Sequence, residues 1–292
     1  MNEQIKTWMM AIRPKTLPAG AAPVILGLAL AWENGLCWWA ALATLACCML
    51  LQIGANLVND YFDFAHGVDD KDRLGPDRVT QKGLLAPGRV RAAFMFCFGL
   101  AFLLGVLLAF RGGWVIVCIG LASIATAYLY TGGPKPLSYL GLGEIFAFIF
   151  FGPVAVGGTY YLQTLTISKT VLVAAMGPGF LAAMLMSVNN LRDMASDTRT
   201  GKRTLAIMLG NRRTRIFSLS LLLMSWLIPL IYLGDHPGKW IVIAAPLSAQ
   251  LFRHHWTELS RAPIGPGMND ILAAVGQFTF VYALLFAVGI IV

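Results

Sequence analysis

The chain has 292 residues, of which 58% are hydrophobic and only 12% are charged. Soluble domains carry about 25% charged residues, and a mean hydropathy of +0.70 leaves too few polar side chains to cover a water-exposed globule. The formal charge of +8 also occurs in nucleic-acid-binding proteins, but every basic cluster here adjoins an apolar segment, as in the loops between membrane helices. The composition therefore predicts a polytopic membrane protein that binds no nucleic acid.

The first 15 residues contain a short apolar patch, residues 8–12, between basic side chains. This patch is too short to cross a membrane or to form the core of a signal peptide. The pattern predicts an amphipathic helix that lies at the membrane surface.

Nine apolar stretches follow, each near the ~20 residues that a bilayer core requires. They cover residues 17–32, 36–58, 92–110, 114–130, 142–163, 170–189, 215–234, 240–256 and 270–292. We therefore expect an all-α protein of nine transmembrane helices, with one transmembrane domain over residues 1–292.

The loops indicate how these helices are oriented. In an alternating arrangement of nine spans, 19 of the 22 lysines and arginines fall on one side, and the exceptions are Arg111, Lys169 and Lys239. The positive-inside rule then places the N-terminus and the long loops in the cytoplasm. A bacterial cytoplasmic membrane, with the chain in contact with its lipid bilayer, fits this pattern.

An acidic segment begins inside the second apolar stretch and continues beyond it. Asn56, Asn59 and Asp63 are spaced i, i+3 and i+7, and Asp60 lies three residues before Asp63, so these side chains share a face of a helix. Converging carboxylates repel one another and require a cation. Oxygen ligands alone favour a hard ion, Mg²⁺ first.

A second acidic segment follows the sixth apolar stretch, with Asp193 and Asp197 spaced i and i+4. Four crossings separate the two segments, so both end at the same membrane face. Opposed carboxylates are compatible with each other when Mg²⁺ and a polyanion lie between them, and diphosphate is the natural candidate. Cations on the same face that are available to the polyanion are Arg73, Arg78, Lys82, Lys135, Arg192, Lys202 and Arg203.

Together these segments resemble the UbiA superfamily of membrane-embedded aromatic prenyltransferases, and within it the branch that acts on 1,4-dihydroxy-2-naphthoate. The resemblance covers nearly the whole chain. The stretches that carry it are residues 13–18 (RPKTLP), 59–63 (NDYFD), 72–76 (DRLGP), 80–83 (TQKG), 139–144 (YLGLGE), 189–193 (NNLRD) and 201–205 (GKRTL).

The resemblance implies transfer of a polyprenyl group from polyprenyl diphosphate to 1,4-dihydroxy-2-naphthoate, with loss of CO₂ and formation of a demethylmenaquinone. We expect Asp60, Asp63, Asp193 and Asp197 to hold Mg²⁺ at the catalytic centre. The expected diphosphate ligands are Asn56, Asn59, Arg73, Lys82, Lys135, Arg192 and Lys202. Further candidates near the reaction are Tyr130, Tyr139, Glu144, Asn190 and Asp69.

One departure and two alternatives accompany this interpretation. The broad superfamily pattern NDxxDxxxD has a third aspartate where this chain has Gly67, and Asp69, Asp70 or Asp72 would have to replace it. The same chemistry on another acceptor, such as 4-hydroxybenzoate, is the first alternative. A divalent-cation or anion transporter is the second, and it is disfavoured because nearly all charges lie at one face rather than along a path across the membrane.

Overall fold

The computed structural model describes residues 2–65, 67, 74–75, 77–134 and 136–292. Within these residues, all regular secondary structure is helical, which confirms the predicted all-α class. The helices are α1 (Glu3–Ile12), α2 (Leu17–Leu30), α3 (Trp38–Ala65), α4 (Pro87–Leu129), α5 (Gly143–Thr164), α6 (Lys169–Arg192), α7 (Met194–Arg199), α8 (Leu205–Asp235), α9 (Ala244–Leu247), α10 (Arg253–Arg261) and α11 (Met268–Ile291).

Helix α4 is a hairpin of two membrane-spanning segments. Its 43 residues are interrupted at Gly113, whose φ of 64° and ψ of −158° are accessible to glycine without strain. Phe94 and Tyr128 lie 34 positions apart in sequence, yet their ring centroids are 6.3 Å apart. The second half of α4 therefore folds back along the first.

The structure contains the predicted number of spans. Six helices in the described part of the chain are long and apolar enough to cross a membrane: α3, α4, α5, α6, α8 and α11. Counting α4 as two crossings, and adding α2 and the short helices of residues 240–261, gives nine helical segments there, in keeping with the predicted nine. Residues 240–261 combine short helices with 3-10 turns around Pro246, which interrupts the α-helical hydrogen-bond ladder.

Two helices extend beyond their predicted bounds. Helix α3 continues to Ala65, past the apolar stretch that ends at residue 58. Helix α8 begins at Leu205, but Gly210, with a φ of 74° and a ψ of 166°, interrupts it, so its long part starts close to the predicted residue 215. Thr204 caps α8, accepting a hydrogen bond from the backbone N–H of Ile207. Hydropathy marks where apolar side chains end, whereas a helix continues for as long as its backbone bonds and caps are satisfied.

Packing divides the bundle into two sides. Helices α6, α8 and α11 form the larger core around Met184, Phe278 and Tyr282, all fully buried. Helices α3 and α4 form a smaller cluster with the N-terminal helix, where Ala11 is buried. A cavity separates the two sides, and α2 and α5 complete its wall.

Candidate functional site

The cavity has a volume of about 870 Å³ and two chemically distinct ends. Apolar side chains line its interior along α5 as far as Leu162, which is close to the end of that helix at Thr164. Polar and charged side chains line the opposite end, which we call the polar mouth. The polar mouth contains Asn56, Asn59, Asp63, Arg78, Asn189, Asn190, Arg192, Asp193, Asp197 and Lys202.

The two aspartates of the first segment, Asp60 and Asp63, face different surroundings. Asp63 is 5% exposed, lines the cavity and forms an ion pair with Arg78. Asp60 is 1% exposed and is absent from the cavity wall. Its Oδ2 accepts a hydrogen bond from the Val79 N–H at 3.1 Å, and its Oδ1 accepts one from the Thr80 N–H at 3.2 Å. Asp60 thus holds the backbone beside Arg78 in place.

The two asparagines of this segment also bind protein groups. The Asn56 amide nitrogen donates to the Ile12 carbonyl at 2.9 Å and to the Thr16 hydroxyl at 3.1 Å. This fastens the N-terminal segment over the cavity at Arg13, whose φ of 56° is unusual for a residue other than glycine. The Asn59 Oδ1 accepts a hydrogen bond from the Thr131 hydroxyl.

The second segment holds its carboxylates at a helix break. Helix α6 ends at Arg192, and Asp193 has non-helical backbone angles before α7 begins. The Arg192 guanidinium donates from Nε to Asp193 Oδ1 at 2.7 Å and from Nη2 to Asp193 Oδ2 at 2.6 Å. A second Nη2 bond reaches Asn189 Oδ1 at 2.9 Å. Arg192 therefore neutralises Asp193 and fixes its orientation.

Asn269, at the start of α11, joins the two segments and was not predicted. Its Oδ1 accepts a hydrogen bond from Arg192 Nη1 at 3.0 Å, and its Nδ2 donates to the Leu74 carbonyl at 2.7 Å. No spacing pattern identifies such a residue, because a single asparagine at the start of a helix is common. Its importance depends on three chain segments meeting in space.

Asp197 and Lys202 form the third ion pair of the polar mouth, with Nζ and Oδ1 3.1 Å apart. Burial raises the pKa of the Asp197 carboxyl, although Lys202 opposes the shift. Burial lowers the pKa of Lys202, but Asp63 and Asp197 more than offset this effect, so its pKa is raised and the ammonium stays charged. The Lys202 ammonium also lies 5.9 Å from the centroid of the Tyr139 ring.

Glu144 and Tyr130 lie beside Asn190. The Asn190 Nδ2 donates to Glu144 Oε1 at 3.0 Å, and Glu144 is 3% exposed. This bond directs the other end of the Asn190 amide, its Oδ1, away from Glu144. Tyr130 lines the cavity, and its hydroxyl contacts the Met186 sulfur at 3.0 Å.

One predicted site residue, Lys82, does not line the cavity. It is exposed and forms an ion pair with Asp77, which does line the cavity, and Arg78 is the basic residue next to Asp63. The predicted residues Asp69, Arg73 and Lys135 lie outside the described residues.

Gly67, which occupies the position of the superfamily's third aspartate, follows the end of α3. Its φ is 63°, and its N–H donates to the Phe64 carbonyl at 3.1 Å. Glycine adopts this left-handed conformation without strain, and it commonly occupies such a position after the last turn of a helix. A helix-terminating role therefore accounts for the departure from aspartate.

The donor set at the polar mouth is suited to a hard divalent cation. In the described ranges, no three acidic, histidine or cysteine side chains are close enough to hold a metal ion by themselves. Mg²⁺ is usually bound by one or two carboxylates together with water and substrate phosphate oxygens rather than by an all-protein cage. Asp63, Asp193 and Asp197, with the amide oxygens near them, match this mode of binding.

These features define a helical membrane protein whose cavity joins an apolar interior to a mouth of paired carboxylates and cations. A family model described as the UbiA prenyltransferase family matches residues 21–263. The 1,4-dihydroxy-2-naphthoate octaprenyltransferase of Mycobacterium tuberculosis is 42% identical over 245 residues, covering 82% of this chain and 83% of that protein. The protein of the same name from Escherichia coli K12 is 36% identical, covering 98% and 95%. The chain belongs to the UbiA prenyltransferase family and is a transferase.

Solved structures agree on the fold. A UbiA homolog from Archaeoglobus fulgidus, bound to GPP and Mg²⁺, matches with a TM-score of 0.68 at 14% identity, covering 98% of this chain and 99% of that chain. A digeranylgeranylglyceryl phosphate synthase matches with a TM-score of 0.62 at 19% identity, covering 99% of both chains. The fold of this chain is therefore shared with these two solved structures.

Proposed function

We propose that this protein transfers a polyprenyl group from polyprenyl diphosphate to 1,4-dihydroxy-2-naphthoate, with release of diphosphate and CO₂, giving a demethylmenaquinone in its reduced, quinol form. The observation that carries the proposal is the set of three carboxylate–cation pairs at the mouth of an apolar cavity. These pairs are Asp63 with Arg78, Asp193 with Arg192, and Asp197 with Lys202.

The three pairs suit a ligand that itself combines both charges. A magnesium diphosphate presents cations to the carboxylates and phosphate oxygens to Arg78 and Lys202, so the pairs exchange partners without leaving a buried charge uncompensated. Asp63, Asp193 and Asp197 would hold Mg²⁺, and bound Mg²⁺ supplies positive charge against the negative charge that develops on the leaving diphosphate. The cations of the polar mouth stabilise the same charge.

The apolar interior suits the rest of the donor substrate. Phe146, Phe150 and Leu162 contribute to a wall that follows α5 from its first turn to near its end. A polyprenyl chain has no hydrogen-bonding group and gains from burial there. The same wall excludes water from the allylic carbon while its C–O bond breaks.

The naphthoate is the acceptor that the relatives' names favour. The mycobacterial and enterobacterial relatives cover most of this chain at 42% and 36% identity, and both are named 1,4-dihydroxy-2-naphthoate octaprenyltransferases. Because the sequence is similar on both sides of the cavity, we assign the same acceptor class to this chain.

We also propose that the polar mouth faces the cytoplasm of a bacterial cell and that residues 1–292 act as one transmembrane domain. The excess of basic residues on this side, 19 of 22, supports the orientation. In a variant that lacks the five native cysteines, Lys82→Cys is expected to resist a membrane-impermeant maleimide in intact spheroplasts, whereas Lys239→Cys reacts. The opposite labelling pattern would reverse the orientation.

The test of the activity uses purified protein with farnesyl diphosphate, Mg²⁺, and either 1,4-dihydroxy-2-naphthoate or 4-hydroxybenzoate. Prenylated product and CO₂ are followed by mass spectrometry. We expect product with the naphthoate alone, and none after EDTA treatment. Product with 4-hydroxybenzoate alone would change the acceptor, and magnesium flux into liposomes without prenyl diphosphate would instead support a transporter.

A further inference from the structure

Gln52 is a polar side chain in the middle of a membrane-spanning helix. It lies 14 residues from the start of α3 at Trp38 and 13 from its end at Ala65, and it lines the cavity. A side-chain amide at this depth is costly unless it has a hydrogen-bond partner, and polar groups within membrane spans commonly mark functional sites.

Four hydroxyl side chains at the cavity wall satisfy themselves on their own helices. Their hydroxyl groups donate to the backbone carbonyl four residues earlier: Thr44 to Ala40 at 2.7 Å, Ser123 to Ile119 at 2.8 Å, Thr159 to Ala155 at 2.6 Å and Thr279 to Val275 at 2.8 Å. The Gln52 side-chain amide makes no hydrogen bond to any residue that the structure describes. It is therefore available to a molecule in the cavity.

The neighbouring face of α2 leaves room for such a molecule. Ala19, Gly20 and Pro23 line the cavity there. A Cβ atom added to Gly20 would lie 3.3 Å from the Met49 methyl group, which is a tight contact, and 3.6 Å from the Gln52 Cγ, which is an ordinary van der Waals contact. Glycine at this position therefore keeps side-chain atoms of α2 clear of Met49 and of the Gln52 stem.

Gln52 lies too deep to bind the diphosphate. It precedes Asn59 by seven residues and Asp63 by eleven, which correspond to roughly 10 Å and 16 Å along α3. The prenyl chain does reach this depth, but it has no atom that forms a hydrogen bond. With the diphosphate out of reach, the aromatic acceptor is the reactant whose oxygens can bind the Gln52 amide.

A ring hydroxyl fits Gln52 better than the carboxylate of the acceptor does. An ionised carboxylate is stabilised by cations, and Arg13, Lys15 and Lys202 line the cavity nearer its polar mouth. The amide is neutral, and its Oε1 accepts the proton of a phenolic hydroxyl. A hydroxyl that donates to Oε1 also becomes more electron-releasing, which favours attack by the ring on the allylic carbon.

We propose that the Gln52 side chain binds a ring hydroxyl of the dihydroxynaphthoate acceptor and thereby helps to determine which acceptor is used. This inference rests on the proposed function, since it assigns part of the same cavity to the second substrate. Under this inference, the middle of α3 binds the acceptor and the end of α3 binds the diphosphate.

The test compares Gln52→Met, which removes the amide and nearly preserves side-chain length, with Thr44→Val, which removes a self-bonded hydroxyl from the same helix and cavity. KM is measured separately for the naphthoate and for farnesyl diphosphate. We expect Gln52→Met to raise the naphthoate KM about tenfold, the equivalent of one lost hydrogen bond, and to leave the farnesyl diphosphate KM within about twofold. Thr44→Val should leave both values near wild type.

Two analogues identify the oxygen. Binding of 1-hydroxy-2-naphthoate and 4-hydroxy-2-naphthoate, each lacking one ring hydroxyl, is measured by calorimetry with the wild type and with Gln52→Met. We expect the variant to lose its binding defect for one of the two. An undiminished defect with both analogues, an unchanged naphthoate KM, or a rise confined to the farnesyl diphosphate KM would overturn the inference. If the wild type neither binds nor converts the naphthoate, the proposed function fails and the inference fails with it.

Discussion

The two acidic segments have similar compositions but use their residues differently. On α3, Asn56 and Asp60 bind other parts of the polypeptide, while Asp63 lies at the cavity. In the second segment, Asp193 and Asp197 both line the cavity. A continuous helix directs successive polar residues to different neighbours, whereas the helix break at Asp193 lets both carboxylates face the same space.

This difference separates a carboxylate that binds the polypeptide from carboxylates that face the cavity. The Asp60 carboxylate accepts hydrogen bonds from two backbone N–H groups and a hydroxyl. Asp193, in contrast, is held by a charged side chain that itself lies at the cavity. Proximity in sequence to a cavity-facing aspartate is therefore a weak guide to what a second aspartate contacts, and the two arrangements predict different consequences of mutation.

The largest effect is expected at the carboxylates that face the cavity. Asp63→Asn and Asp193→Asn remove charge at nearly constant shape, and we expect each to lower Mg²⁺-dependent turnover by about 100-fold or more, as loss of a group that stabilises developing charge does. Turnover is measured at equal amounts of membrane-inserted protein. Asp235→Asn, at an exposed carboxylate at the far end of α8, is the matched control and should leave turnover unchanged. Near-normal turnover in either site variant would remove that residue from the metal site.

Asp60→Ala is expected to act on stability instead. It leaves the Val79 and Thr80 N–H groups without an acceptor, which costs about 1–3 kcal/mol for a buried group. Thermal unfolding in detergent should show a lower melting temperature, and the Mg²⁺ concentration for half-maximal turnover should stay at the wild-type value. A shifted Mg²⁺ requirement with normal stability would make Asp60 a metal ligand and remove the contrast between the segments.

Asn269 tests whether the second segment depends on support from outside. Asn269→Leu removes the contacts with Arg192 and Leu74, and we expect about tenfold slower turnover, because a misplaced Arg192 disturbs Asp193. Asn269→Asp keeps an acceptor for Arg192 and should lose less. Asn211 does not line the cavity, and its Oδ1 accepts a similar hydrogen bond, 2.6 Å long, from Arg215 Nε. Asn211→Leu is therefore the control. Equal losses in all three variants would indicate a general packing effect.

The sequence predicted the fold class and the number of spans because apolar length is a local property. It also placed Asp63, Asp193 and Asp197 on one side of the membrane, since an even number of crossings separates them. It did not predict that Asp60 faces Val79, because helical spacing groups residues on a face but does not say what lies opposite. The role of Asn269 depends on contacts between residues almost 200 positions apart, which no local pattern encodes.

The smallest effect is expected at Asn56, which lies in the first acidic segment and binds the N-terminal segment. Asn56→Ala removes two hydrogen bonds to the N-terminal segment, and each is worth roughly 1 kcal/mol. We expect trypsin to cut after the exposed Lys15 about tenfold faster, because cleavage there requires local opening, while turnover falls only a few-fold.

Thr7→Ala is the control for that experiment, since the Thr7 hydroxyl bonds only to the Glu3 carbonyl within α1. Cleavage after Lys6, which lies in α1 ahead of the tether, provides an internal reference in the same digest. Faster cleavage at both lysines would mean that α1 itself has loosened. Faster cleavage at Lys15 alone would show that Asn56 tethers the N-terminal segment over the cavity, and so contributes to the site through the backbone rather than through the diphosphate.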